Sequence, residues 1–176
     1  MILFRHCDRR FPFLWEAADQ PAARWHGEGE GPAQYFADTP TGAWAEFLRH
    51  EGITDEADLT GIERALWAVE VPMNALDRHR PLLAPSILRG GLESYEACRQ
   101  EARRLRSIGA VAIEAPSAAL ETGGARGFRV DGGEQEAAPM DGIVYVVFGR
   151  RPDCIGWPVV DNGAAPSRCL SRVRPL

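Results

Sequence analysis

Residues 34–50 constrain the fold more than any other stretch, because they read as a strand that turns directly into a helix. Gln34 to Ala37 is a short β-compatible run, ended by Asp38-Thr39-Pro40. Thr39 is a fitting N-cap, and Pro40 stands at the first helical position, where a missing N–H costs nothing. The expected helix runs from about Thr41 to His50 and stops at Gly52, a residue suited to the left-handed turn that ends helices. Ala43, Trp44, Phe47 and Leu48 share its apolar face and belong to the core. Glu46 sits at the edge of that face, where a carboxylate can point into a cleft while its helix stays docked.

The remaining patterns are short and irregularly ordered. Residues 1–6 suit an opening strand, and Arg9 to Gly31, rich in turn formers and aromatic rings, suits an irregular wrap around a site. Gly27, Gly29 and Gly31 do not form a dinucleotide fingerprint, which needs a preceding strand and a following helix. Glu28 and Glu30 would also repel phosphates, so a mobile loop is expected there. Residues 65–71 alternate as a strand closed by Pro72, and 77–91 read as irregular. Ser94 then caps a helix in which Tyr95, Cys98, Ala102, Leu105 and Ile108 recur at helical spacing, ended by Gly109. A buried strand over 110–115 leads into Pro116-Ser117. Further strands are expected at 127–130 and 143–148, with GGEQEAAP between them as a surface loop, and edge strands at 155–160 and 169–174. With no repeat or linker and no regular βα alternation, the expectation is an α+β fold in a single domain, 1–176.

Composition narrows the functional classes. The net charge of −5 argues against direct nucleic-acid binding, which needs a surplus of basic side chains facing phosphates. All 20 basic residues are Arg, so any phosphate contact must come from Arg, backbone amides or hydroxyls. No apolar run approaches a membrane span, and MILFRHCDRR lacks a signal peptide's apolar stretch, which points to a cytoplasmic location and no membrane partner. Cys7, Cys98, Cys154 and Cys169 have no paired spacing, so free thiols are expected and no metal site.

Five short texts in order carry a more specific signal: LFRHCD, AARWHGEG, AQYFADTP, GAWAEFLRH and IEAPSAAL. Together they resemble the RES domain family, named for an Arg, a Glu and a Ser, whose members consume NAD. The resemblance covers most of residues 1 to about 130 and fades beyond. It implies a split mixed sheet with flanking helices, similar to the ADP-ribosyltransferase fold, holding NAD in a central cleft. It also implies Arg24, Glu46 and Ser117 as catalytic residues, with Arg5, Tyr35, Trp25 and His6 binding the dinucleotide. Three positions depart from the family pattern: Ala22-Ala23 replace a Gly pair, His26 replaces an Asn, and His6 stands where some members carry an aromatic ring.

The chemistry implied is cleavage of the nicotinamide–ribose bond. Nicotinamide in NAD is already a cationic leaving group, so an enzyme must stabilise an oxocarbenium-like ribose and hold the diphosphate. A carboxylate serves the first need and arginines the second. NAD is then a substrate rather than a cofactor, with inorganic phosphate or water as acceptor. RES proteins are typically toxins of toxin–antitoxin pairs, which implies an Xre-type antitoxin as partner. Two other readings stay open: a protein ADP-ribosyltransferase, and a catalytically silent nucleotide-binding module. Each residue also has a plainer reading. Glu46 pairs with His50 one turn on, Arg24 stacks on Trp25 at the surface, Tyr35 is core and Ser117 is a turn residue.

Overall fold

A computed structural model describes residues 1–74 and 78–176. Among the described residues, seven strands form one mixed sheet in the order β4-β5-β8-β2-β1-β3-β9, and two more form a separate hairpin, β6-β7. In chain order these are β1 (Ile2–Asp8), β2 (Ala33–Ala37), β3 (Arg64–Glu70), β4 (Arg78–His79), β5 (Ala112–Pro116), β6 (Phe128–Val130), β7 (Glu134–Glu136), β8 (Ile143–Phe148) and β9 (Ile155–Gly163). The helices are α1 (Pro40–His50), the single turn α2 (Pro85–Leu88) and α3 (Tyr95–Ser107). Pairing is antiparallel throughout except for parallel β4 and β5. The fold is therefore α+β with a mixed sheet and flanking helices, as expected.

The sheet is split in its middle. Among the described residues, β1 and β2 pair only at Phe4–Ala37, whereas β1 runs beside β3 from Ile2–Glu70 to Asp8–Arg64. One half is thus β4-β5-β8-β2 and the other β1-β3-β9. Both long helices lie on the same face. α1 packs Trp44, Phe47 and Leu48 with Leu66 and Phe4 over the second half, while α3 packs Cys98, Ala102 and Leu105 with Ile113 and Val146 over the first. The opposite face buries Leu3, Phe36, Val69, Tyr145 and Val147 beneath Phe13, Leu14 and Met73.

Local chemistry sets the helix that carries Glu46. The Thr39 hydroxyl accepts the Gly42 N–H at 3.0 Å, with Pro40 opening the helix. At the other end Gly52 adopts φ +66°, the Gly52 N–H donates to Arg49 O and Ile53 N–H donates to Leu48 O. That pair of bonds is a Schellman closure, completed by packing of Ile53 in the Leu48 cluster. α3 ends in the same way, with Gly109 at φ +93° and Ala110 N–H bonded to Leu105 O.

Several expectations are corrected. Ser94 makes no cap bond to α3; it ends a short 3-10 turn, and its hydroxyl donates to Gly91 O at 2.7 Å. The stretch expected to be irregular contains β4 and α2, though residue 77 lies outside the described residues. GGEQEAAP is not a plain loop, because Glu134–Glu136 returns as β7 against β6. Residues 167–172 form a 3-10 turn where an edge strand was expected, while β9 does form an edge, paired with β3. The glycine-rich stretch is tied down rather than loose. The Glu30 carboxylate accepts the Gly27 N–H at 2.9 Å and Arg103 Nε at 2.7 Å. Among the described residues no helix is long and apolar enough to cross a membrane.

Thr39→Ala removes the cap that starts α1. It is expected to lower stability by ~1 kcal/mol, read as an earlier urea midpoint with an unchanged slope. An unmoved midpoint would show that Pro40 and the tertiary contacts of α1 suffice without the cap.

Candidate active site

Where β1 and β2 part, their side chains frame two adjoining hollows of about 210 and 220 Å³. His6, Tyr35, Glu46 and Val144 line both. The separation leaves backbone groups without a ladder partner, and Arg5 answers one of them. Its Nη1 donates to Tyr35 O at 3.4 Å and to Gln34 Oε1 at 3.3 Å. Burial lowers the Arg5 pKa to about 10, so the guanidinium is desolvated yet still cationic at neutral pH.

Glu46 projects from α1 into this seam. Ser117 Oγ donates to its Oε1 at 2.7 Å, although the two lie 71 residues apart in sequence. The Ser117 hydroxyl in turn accepts the N–H groups of Ala119 and Leu120, both at 3.2 Å. Ser117 is 4% exposed. The cavity wall beside it is made by Pro116 and Ala118, so the serine orients the carboxylate from behind instead of lining the hollow itself. Close approach to β8 is possible because residue 142 is glycine: a Cβ there would lie 2.5 Å from Leu120 Cδ1. The Ser117 N–H donates to Gly142 O at 2.8 Å.

Burial raises the Glu46 pKa above the usual carboxylate range, opposed by the Ser117 hydrogen bond and by the charges of Arg24 and Arg49. Arg49 is the residue that the sequence reading missed. It sits one turn after Glu46, is buried, and donates from Nη1 to Ala118 O at 2.6 Å and from Nη2 to Gly90 O at 3.0 Å. Arg24 donates to the same Gly90 carbonyl at 2.6 Å, to Ser94 Oγ at 2.9 Å and to Ile87 O at 3.3 Å. Its guanidinium lies 4.6 Å from the centre of the Tyr95 ring. The surface reading of Arg24 is thus corrected, because the side chain is buried and stacks on Tyr95, not Trp25. Its Nη1 and Nη2 bond to the α2–α3 segment, while the residue still lines the hollow it shares with Glu46.

Tyr35 and Trp25 line the same hollow as Glu46. The Tyr35 hydroxyl accepts the Trp25 N–H at 3.0 Å and lies 3.0 Å from His26 Nδ1. Burial pushes its ionisation well above that of a free phenol, so the group stays neutral. His6 closes the hollow on the β1 side. Arg64 Nη2 lies 3.2 Å from His6 Nδ1, and since an arginine only donates, Nδ1 accepts and the ring proton sits on Nε2. Burial, Arg64, Arg5 and His50 together lower its pKa to about 3, leaving a neutral donor.

The segment after β9, to which the sequence reading assigned no role, braces the Ser117 loop. Arg174 N–H donates to Ala119 O at 2.6 Å, and Glu121 N–H donates to Arg172 O at 2.9 Å. Arg172 also donates to Arg126 O at 2.9 Å and to Glu136 Oε1 at 2.6 Å, drawing in the β6–β7 hairpin. The sequence signal was there in the form of closely spaced arginines near the end, but nothing in it named their acceptors.

The structure therefore brings Arg5, His6, Trp25, Tyr35 and Glu46 to one seam, with Arg24 at its wall and Ser117 behind Glu46.

The family model for the RES domain matches residues 2–166, well past the point near 130 where the resemblance of short texts fades. A chain in the crystal structure of the M. tuberculosis MbcT-MbcA toxin-antitoxin complex superposes with a TM-score of 0.54 at 13% identity, covering 91% of this chain and 84% of that one. No curated protein matches the chain at a significant level.

Ser117→Ala deletes the hydroxyl whose hydrogen bond favours the ionised Glu46, while leaving burial in place. The Glu46 carboxyl is expected to titrate at higher pH in this variant than in the parent, read by carbon-13 NMR of labelled glutamate. An unmoved titration would mean that the two arginines, not Ser117, set the carboxyl's charge.

Proposed function

This chain belongs to the RES domain family, and from that membership we propose that it cleaves the nicotinamide–ribose bond of NAD, passing the ADP-ribosyl group to phosphate or water. The observation that carries this reading is Glu46. A carboxylate desolvated in a cleft, aligned by Ser117 at 2.7 Å and sharing its hollow with Tyr35 and Trp25, suits stabilisation of a cationic sugar.

As the C–N bond lengthens, its electron pair leaves with nicotinamide, which departs neutral, and positive charge gathers on the ribose. Glu46 opposes that charge in a site where little water screens it. Ser117 fixes the carboxylate's orientation, so it need not reorganise during the step. Tyr35 and Trp25 offer ring surface to nicotinamide. Arg24, in the wall of the hollow, and the buried Arg49 favour the ionised form of Glu46 against its burial. An oxygen of phosphate or water then bonds to the anomeric carbon and yields its proton to solvent.

In the cell the activity would deplete NAD, which fits the toxin of a toxin–antitoxin pair restrained by an Xre-type antitoxin that covers the cleft. The toxin-antitoxin complex among the structural neighbours supports this assignment. Antitoxin co-expression is then expected to restore growth of cells producing the parent protein.

Purified protein incubated with NAD, with and without phosphate, decides the reaction by product mass. ADP-ribose-1″-phosphate marks phosphorolysis, free ADP-ribose marks hydrolysis, and ADP-ribose attached to protein marks a transferase. Undiminished NAD in the presence of folded protein would overturn the proposal.

Glu46→Gln keeps the shape but removes the charge, and is expected to reduce turnover by ~10²–10³. The parent's kcat/KM should fall on the acid side as Glu46 protonates. Because its pKa is raised, that fall begins at a higher pH than for an ordinary glutamate. The acid limb should be missing from the residual activity of Glu46→Gln.

A further inference from the structure

A third hollow, of about 650 Å³, is lined by Arg5, His6 and His50, which it shares with the seam, and by Arg64 and Glu51. Its outer wall is the segment 11–17, including Phe11, Leu14 and Trp15. We propose that this hollow binds the adenosine half of the dinucleotide, with the diphosphate crossing at Arg5, His6 and Arg64 and the adenine stacked on Trp15; this rests on the reading that NAD is the substrate.

Three observations carry the proposal. The first is charge. Arg5 and Arg64 flank the junction between hollows, and each has a buried Nε with no hydrogen-bond partner among the described residues. Arg5 is held by neutral acceptors, and Arg64 by the His6 ring and the face of Phe47 at 4.8 Å. Asp8, whose carboxylate feels the charge of Arg64, is itself bonded to Arg10 at 2.7 Å. A buried Arg5 and a half-buried Arg64, both bonded to neutral acceptors, offer an anion a place in a hollow that Asp8, Glu16 and Glu51 also line, and a diphosphate supplies one. The proton on His6 Nε2 adds a neutral donor at the same junction.

The second is the placing of Trp15. The Gln34 carboxamide, fully buried on β2, bonds both polar groups of the Trp15 backbone: its Oε1 accepts the Trp15 N–H at 3.0 Å and its Nε2 donates to Trp15 O. The same Oε1 receives Arg5. The tryptophan that walls the hollow is therefore registered to the arginine at the junction. Its side chain nevertheless leaves the residue 39% exposed, an apolar ring presented and unspent. The third is continuity. Glu46 lines the two seam hollows, Trp15 the third and His6 all of them, so a ligand with a reactive riboside at one end and a base at the other can span them.

The test is equilibrium binding, which does not depend on turnover. ADP-ribose and nicotinamide mononucleotide are titrated into the parent, Trp15→Ala, Trp15→Phe and Arg64→Gln. The ratio of the two affinities is expected to move ~10-fold or more against ADP-ribose in Trp15→Ala and Arg64→Gln, as loss of a base-stacking ring does elsewhere. Trp15→Phe, which keeps a ring, should stay within about threefold of the parent. An unchanged ratio in both Trp15→Ala and Arg64→Gln would overturn the proposal, as would a parent that binds the mononucleotide as tightly as ADP-ribose. Absence of NAD cleavage by a protein that shows the expected ratios would overturn the enzymatic reading and leave the subsite standing.

Discussion

Strands β1 and β2 meet at Phe4 and Ala37 and then separate, and the site exists because they do. A continuous ladder would bring the next residues of both strands into register and close the hollows they line. Opening a sheet at its centre exposes backbone groups that must find other partners. Here a side chain takes the place of the missing strand neighbour, with Arg5 donating to Tyr35 O and Gln34 Oε1 across the gap. A cation in such a place is costly, as its lowered pKa records. The two halves of the sheet are otherwise held by the helices, one over each half, and the hollows fall at the seam between them.

Glu46 shows how stability and chemistry are coupled. Desolvating a carboxylate is unfavourable, and the structure offsets it with one hydroxyl and two arginines that are also fasteners of the fold. Arg24 and Arg49 converge on Gly90 O, tying the turn between α2 and α3 to α1 and to the loop after β5. Removing any member of this group leaves others buried without their counter-charge, which is usually worse than never having had the pair. The arginine content of the chain thus has structural use: guanidinium forks reach several carbonyls at once where a lysine would reach fewer.

The elements legible from sequence were those written in local chemistry. Thr39-Pro40 marked the start of α1, Gly52 and Gly109 marked helix ends, and the alternation of 65–71 marked β3, because caps and left-handed turns depend on residues only a few positions apart. Local reasoning failed where a partner lay far off. Ser94 looks like a cap, but Arg24 and Gly91 claim its hydroxyl. Glu28 and Glu30 look like parts of a repelling loop, but Arg103 reaches Glu30 from α3. The charged strand β7 carries no hydrophobic signal at all, since it pairs only within an exposed hairpin.

Sequence by itself determined that Glu46 rides at the edge of an apolar helix face, that a strand delivers Tyr35 beside it, and that short texts in order match a family. Each follows from spacing along a rigid element. Only the tertiary structure decided that Ser117 turns to Glu46 instead of the hollow, that Arg49 joins the site, that Arg24 is engaged by carbonyls, and that the C-terminal arginines brace the loop. Those outcomes depend on hydrogen-bond acceptors dozens of residues away, and a buried carbonyl carries no mark in the sequence of which guanidinium will reach it.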